Sequence, residues 1–384
     1  MCARRQSRWR LDCSSRGRRE NEEKIQRIPL GNSLDMPATD RPPDTERALS
    51  VGLIGYGLGG AVFHAPFIAT TPGLELRVIV TRNPERRAQA AREHPGATLV
   101  DSAEELWARA RELDVVAITT PNRFHVPLAR AALAATAAEG RELIAEARRR
   151  DLPLTVFQNR RWDGDFLTVR RLLREGAVGR PLRFESRFDR WRPVPKGGWR
   201  ERADPAEAGG LLYDLGSHLI DQALVLFGAV THVYAELDRR RSGVEVDDDV
   251  FVALSHASGV RSHLSMSTVA AQPGARLRLL GDRAAYVKYG PDGQEDALRT
   301  GSRPGGPDWG KEPPERWGTL GAGEEMRAVP TERGAWASFY AELAAALRTG
   351  GSLPVDPNDS VSALEIIEAA QRSARDGVVV ALGG

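Results

Sequence analysis

From Ala48 onward, short unbroken apolar runs alternate with stretches in which apolar residues recur at helical spacing. The runs are Val51–Gly55, Leu76–Val80, Thr98–Val100, Val115–Thr119 and Leu154–Gln158. Between them, helices are expected after Gly55, over Pro84–His94, over Ala103–Glu112, and along an Ala-rich stretch after Thr119. Strands apolar on both faces, separated by amphipathic helices, predict a parallel sheet covered on both sides. Asp101–Ser102 is placed to cap the third of these helices, with Glu104 and Glu105 in its first turn.

Beyond Arg161 the pattern changes. A helix is expected over Asp165–Glu175, stopped by Gly176, followed by a strand over Leu182–Trp191, a Pro/Gly/Trp-rich loop and a helix over Leu211–Phe227. Alternating strands follow near His232–Leu237, Asp249–Ser255, Val260–Thr268, Ala275–Leu280 and Ala284–Tyr289. Consecutive alternating strands with few helices between them predict an open, mostly antiparallel sheet. Residues 290–330 read as a long surface-wrapping segment, and helices near Trp336–Arg348 and Asp359–Arg375 close the chain. The fold class is thus α/β followed by α+β: a Rossmann-like domain over 49–162 and an open-sheet domain over 163–384.

Residues 1–48 lack apolar periodicity and carry Arg clusters and prolines. They are expected to be a disordered extension, with Met36 as the working start. No apolar stretch of about 7–15 residues follows the charges, which argues against a secretory signal, and Asp12, Glu20, Glu22 and Glu23 argue against a transit peptide.

Composition narrows the function classes. The 384 residues suit two domains, and the net charge of +2, from 54 basic and 52 acidic side chains, offers no electrostatic footprint for nucleic acid. No run approaches the roughly 20 apolar residues of a membrane span. The two cysteines, Cys2 and Cys13, both lie in the extension, so a disulfide or thiolate metal site is excluded from the folded part and a cytoplasmic location is expected. No metal is expected.

The first local chemical signal is Gly55-Tyr56-Gly57-Leu58-Gly59-Gly60, a G-x-G-x-x-G pattern that ends an apolar run and opens a helix. Gly55 permits the tight turn, Gly57 lets backbone approach a pyrophosphate, and Gly60 lets helix and strand pack closely. The second strand ends in Thr81-Arg82 rather than in a carboxylate. A carboxylate there would accept the ribose 2′-hydroxyl of NAD, whereas a hydroxyl and a guanidinium suit a 2′-phosphate, so NADP is favoured, with NAD the alternative. Thr120, Pro121 and Asn122 end the fourth strand and His125 follows, where a nicotinamide ribose would lie; a capped turn explains Pro121 and Asn122 equally well. Further on, Asp214 and His218 stand i, i+4 on one helix, with Asp221 a turn later. A carboxylate beside an imidazole orients it and raises its basicity, as a general base requires. Spacing alone leaves open whether this face meets a cleft or solvent.

Taken in order, these blocks resemble the Gfo/Idh/MocA oxidoreductases: the glycine fingerprint, Thr120-Pro121-Asn122 with His125, Phe157–Asp163, Phe184–Asp189, Lys196–Arg200 and Gly209–Asp221. The middle blocks are most similar to the NADP-dependent scyllo-inositol dehydrogenase branch. The resemblance covers about residue 50 to the C-terminus. It implies hydride exchange between NAD(P) and C–OH/C=O groups of sugars or polyols, with Asp214 and His218 as the catalytic pair. It also implies that Asn159, Arg160, Lys196, Trp199 and Asp221 line the substrate cleft, and that the open sheet serves as a homo-oligomer interface. The family's fifth strand, ending in Glu/Asp-Lys-Pro, has no counterpart between Ala135 and Thr136, a loss of about a dozen residues. Leu154–Gln158 is therefore expected to move into the vacant strand position. Loss of the lysine leaves a second reading open, a non-catalytic NAD(P)-binding regulatory or inactive member.

Overall fold

The computed structural model describes residues 47–120, 136–195, 197, 201, 203 and 208–383. All belong to one compact unit. Strands β1 (Leu49–Ile54), β2 (Leu74–Val80), β3 (Thr98–Val100) and β4 (Val115–Ile118) form a parallel sheet in the order β3-β2-β1-β4. Helices α1 (Ala65–Thr70), α2 (Pro84–Glu93) and α3 (Ala103–Trp107) lie between them. Leu53, Val78 and Ile79 are fully buried, as continuous apolar runs in a two-sided sheet must be. Ser102 caps α3 by accepting from Glu105 N–H, as expected from sequence. The strand order reverses direction between β1 and β4, and crevices outside the carboxyl ends of strands at such a point bind ligands.

After Thr136 a new helix, α4 (Ala137–Arg149), begins with a capping box formed by Thr136 and Glu139. The expectation of a fifth strand at Leu154–Gln158 is not met: among the described residues this segment pairs with no strand. Its contacts pull it elsewhere. Leu154 packs with Ala137, Ile144 and Val361; Thr155 Oγ1 donates to the Val355 carbonyl at 2.8 Å; Phe157 meets Phe339 edge-on at 4.9 Å. A short apolar run cannot declare by periodicity which surface will bury it.

The second sheet has nine strands, adding β5 (Pro181–Asp189), β6 (Val230–Asp238), β7 (Asp249–His256), β8 (Arg261–Ser267), β9 (Leu277–Gly281), β10 (Ala285–Lys288), β11 (Gly318–Ala322), β12 (Glu325–Val329) and β13 (Val380–Ala381). Their order is β12-β11-β10-β9-β5-β8-β7-β6-β13, and every neighbouring pair is antiparallel except β5 and β8. Helices α5 (Gly164–Arg174), α6 (Ser217–Phe227) and α9 (Pro357–Asp376) contribute Val169, Leu172, Leu219, Ile220, Ala223 and Ile366 to the core that this sheet shares. Along β7, buried and half-buried residues alternate strictly, the mark of a sheet with one face in the core.

Residues 290–330 differ from expectation. They hold α7 (Gln294–Arg299) and the β11–β12 hairpin that extends the sheet. Trp309 is buried against Phe67, with Nε1 donating to Gln294 Oε1 at 3.2 Å. The hairpin left little pattern because β12 is an edge strand exposed at all but its last residue. Helix α8 (Ala337–Thr349) completes the set and joins the core beneath β1.

Candidate functional site

The glycine turn sits at the carboxyl edge of β1, opposite the end of β4. Gly55 has φ +102°, a conformation open chiefly to glycine, and its N–H donates to the Val80 carbonyl. A Cβ on Gly60 would lie 2.0 Å from the Gly55 carbonyl oxygen. The chain therefore closes on itself only with hydrogen at that position, and a π-helical turn, Gly59–His64, starts there. Thr119 Oγ1 donates to the Gly55 carbonyl at 2.8 Å and locks the turn to β4. Tyr56 is a correction: its ring is buried and its hydroxyl bonds Glu93 at 2.6 Å, so only its backbone remains for a ligand. Leu58 is exposed at the tip.

Two features test whether these residues fit a dinucleotide. The turn has no room for a side chain at Gly60, and Thr120 Oγ1 beside it is buried with no hydrogen-bond partner among the described residues, an orphan polar group that a ligand would satisfy. Both fit. Thr81 is buried at the end of β2, whereas Arg82 is exposed. Asn83 caps α2 by accepting from Arg86 N–H, and Pro84 presets the first turn. That cap directs Arg86 over the glycine turn, where its Nη1 would stand 3.5 Å from a Cβ on Gly57. Sequence reasoning missed Arg86, because its reach depends on where α2 begins. Pro121, Asn122, His125, Lys196 and Trp199 lie outside the described residues.

The second half of the site gathers on α6. Leu211, Leu215, Leu219 and Ala223 are buried, which leaves Asp214 and His218 half-buried on an adjoining face. The turn Leu212–Gly216 is π-helical before α6 proper begins. His218 Nδ1 pairs with Gln158 Oε1 at 3.0 Å. The expected orientation of His218 by Asp214 is thus corrected: an amide from a segment 60 residues earlier takes Nδ1. Asp214 instead lies within electrostatic reach of Arg190. Burial, then the charges of Arg160 and Arg276, push the His218 pKa down to about 3.

The remaining candidates are buried. Arg160 Nη1 and Nη2 face Asp163 at 3.4 Å and Glu295 at 3.2 Å, and its guanidinium lies over Phe188. Asn159 is buried beside it. Asp221 corrects the expectation of a substrate contact: it is almost fully buried, and Arg161 engages both its oxygens at 2.8 and 2.6 Å while also reaching Asp359. Its carboxylate is spent on holding α6 against the turn that carries Asn159 and Arg160. Gln158, Arg190 and Arg276 were not foreseen. Gln158 lies inside the Phe157–Asp163 segment, but no local pattern announces contacts across such sequence distances.

Comparison with known proteins agrees with this architecture. Residues 49–157 match the oxidoreductase-family NAD-binding Rossmann fold of Gfo/Idh/MocA proteins, and 170–382 match the family's C-terminal alpha/beta domain. The uncharacterized oxidoreductase YdgJ of Escherichia coli is 38% identical over 87% of this chain and 99% of its own length. The scyllo-inositol 2-dehydrogenase (NADP(+)) IolW of Bacillus subtilis is 33% identical over 85% of this chain and 94% of its own. The solved putative oxidoreductase yvaA of Bacillus subtilis superposes with a TM-score of 0.82 at 32% identity, covering 88% of this chain and 99% of that one. Among the described residues, no helix is long and apolar enough to cross a membrane. With its nucleotide-binding sheet, its open second sheet and this kinship, the chain belongs to the Gfo/Idh/MocA family of oxidoreductases.

Proposed function

We propose that this chain transfers hydride between NADP and a C–OH/C=O group of a sugar or polyol, with His218 carrying the hydroxyl proton. The observation that carries the reading is the pairing of His218 Nδ1 with the Gln158 amide oxygen at 3.0 Å. That oxygen accepts from Nδ1–H, so the ring's lone pair resides on Nε2. A depressed pKa keeps the ring neutral near pH 7, the form in which Nε2 can take a proton.

In the oxidative direction the carbinol C–H bond breaks as a hydride, the O–H bond breaks as a proton, and a carbonyl remains. Bound nicotinamide supplies the two-electron acceptor. The residues of this chain do the rest: the Gly55–Gly60 turn admits the pyrophosphate, Thr120 Oγ1 offers a hydrogen bond, and Nε2 of His218 takes the proton. The surrounding guanidinium charge favours an alkoxide-like oxygen over the neutral alcohol, the kind of preorganised field that stabilises developing negative charge. It also penalises the imidazolium, so the proton must pass on quickly. Arg82 and Arg86, with no carboxylate at the end of β2, support NADP over NAD. The printed activity of IolW supports both the cofactor and the substrate class.

Tryptophan fluorescence titration should show NADPH binding at least tenfold more tightly than NADH. A steady-state panel of inositols and aldoses should yield turnover with NADP, and His218→Ala should lower kcat by roughly 10²–10⁴ without changing NADPH affinity. Full activity in that variant refutes the role of His218. NADPH binding without hydride transfer to any carbonyl compound would favour the non-catalytic reading.

A further inference from the structure

The segment that carries Gln158 joins no strand among the described residues, so side chains rather than a sheet must hold it. Its last residues close a tight turn. Gln158 N–H donates to the Val156 carbonyl at 3.0 Å, which puts Phe157 at the apex of a three-residue turn. Arg161 N–H then donates to the Gln158 carbonyl at 3.0 Å and opens the turn that bears Asn159 and Arg160. With its backbone bracketed in this way, Gln158 goes where the Phe157 ring is placed. That ring rests on three others: His64 at 4.4 Å between centroids, Phe339 at 4.9 Å and Tyr340 at 5.8 Å.

His64 comes from the other half of the site. It ends the π-helical turn that begins at Gly59, inside the glycine fingerprint. Its Nδ1 lies 2.5 Å from the Tyr340 hydroxyl on α8. Tyr340 is buried, and burial pushes its phenol up, so the hydroxyl keeps its proton and needs an acceptor for it. Among the described residues that acceptor is His64 Nδ1. The bond fixes the imidazole, and the imidazole is a surface against which Phe157 packs. One unbroken run of contacts thus leads from Gly59 through His64 and Phe157 to Gln158, and from Gln158 Oε1 to His218 Nδ1 at 3.0 Å. Every link in it is covalent, a ring contact or a hydrogen bond.

We propose that His64, held by Tyr340, is a positioning residue that ties the glycine turn to Gln158 and thereby sets the grip of Gln158 on His218. This rests on the reading of His218 as the proton carrier and names what aligns it. His64 touches no reacting atom; it acts through Phe157 and Gln158. A proton-transfer group that is slightly misplaced loses rate without losing the coenzyme, so the effect belongs in kcat rather than in NADPH affinity.

His64→Ala removes both the bond and the stack, and should lower kcat about tenfold while NADPH affinity stays within about twofold of wild type. Tyr340→Phe breaks the same bond from the other side, so adding it to His64→Ala should cost nothing further. The deciding measurement is made in the Gln158→Leu background. There the His64 and Tyr340 substitutions should leave kcat where Gln158→Leu alone puts it, whereas a merely structural role would subtract the same factor in both backgrounds. Should His64→Ala fail to fold, Tyr340→Phe, which removes a single oxygen, carries the same comparison. Full kcat in the folded variant, or equal losses with and without Gln158, overturns the proposal while leaving the role of His218 intact. If no compound turns over, NMR of the nitrogen-labelled imidazole decides, with the His218 Nδ1–H signal identified by its loss in His218→Ala. Faster solvent exchange of that proton in the His64 or Tyr340 variant than in wild type upholds the tether although the catalytic reading has failed; an unchanged rate overturns it.

Discussion

At the edge of the parallel sheet, the surface offered to a ligand is backbone: Gly55, Gly57 and Gly60 lie within six residues of chain. At the head of α6 it is side chains, brought together from Gln158, Arg160, His218 and Arg276, segments separated by more than a hundred residues. At Gly60 the first surface tolerates no added atom, because there the turn closes to contact distance on itself. The second depends on charges whose effect reaches across gaps. A steric site should fail abruptly, and an electrostatic one should fail by degrees and respond to pH.

That contrast orders the expected effects. Gly60→Ala should be the most damaging, because a methyl 2.0 Å from the Gly55 oxygen must displace the turn. NADPH affinity should fall by more than about 100-fold, with about 1–3 kcal/mol of overpacking strain visible in denaturant unfolding. Wild-type binding in this variant would break the comparison at its steric end.

Asp221→Ala should cost stability rather than nucleotide binding. It leaves the buried Arg161 with only the more exposed Asp359 as partner, and removing one member of a buried pair costs about 3 kcal/mol. Chemical denaturation beside an NADPH titration separates the two quantities. A purely catalytic loss at full stability would return Asp221 to the substrate cleft.

Gln158→Leu should lower kcat/KM roughly 10–100-fold, the effect of freeing the imidazole and stranding its Nδ1–H. Gln158→Glu tests the field. In the wild type, His218 stays neutral well below pH 6.5, so the oxidative rate should show no acid limb from this group near neutrality. A carboxylate at Nδ1 stabilises the imidazolium, raises the pKa, and should move the loss of activity to higher pH. An unshifted pH profile would remove Gln158 from the proton-transfer end.

Arg86→Ala should be the mildest, weakening NADPH by roughly tenfold and NADH by less, the scale of one exposed charge-assisted contact. Fluorescence titration of both coenzymes reads the difference, and equal losses would place Arg86 at the shared pyrophosphate instead.

The glycine turn, the parallel sheet and the helices α2, α5, α6, α8 and α9 were legible in the chain because their signals are local. Glycine marks a positive φ, caps and prolines mark helix starts, and apolar spacing marks the buried stripe, as Leu211, Leu215, Leu219 and Ala223 show. The expected strand at Leu154–Gln158 and the surface-wrapping 290–330 went astray for one shared reason. An apolar run, or an edge hairpin such as β11–β12, states that it will be buried or paired but not against what.

Sequence by itself therefore determined where the tight glycine turn lies and that His218 and Asp214 share a helix face. Only the tertiary structure decided that Gln158, not Asp214, holds the imidazole, that Asp221 is consumed by Arg161, and that Arg160 and Arg276 bring positive charge to bear on His218. Steric demands of a tight turn are written in neighbouring residues. The field at a buried ring is the sum of charges delivered by distant segments, and it exists only once the chain has folded.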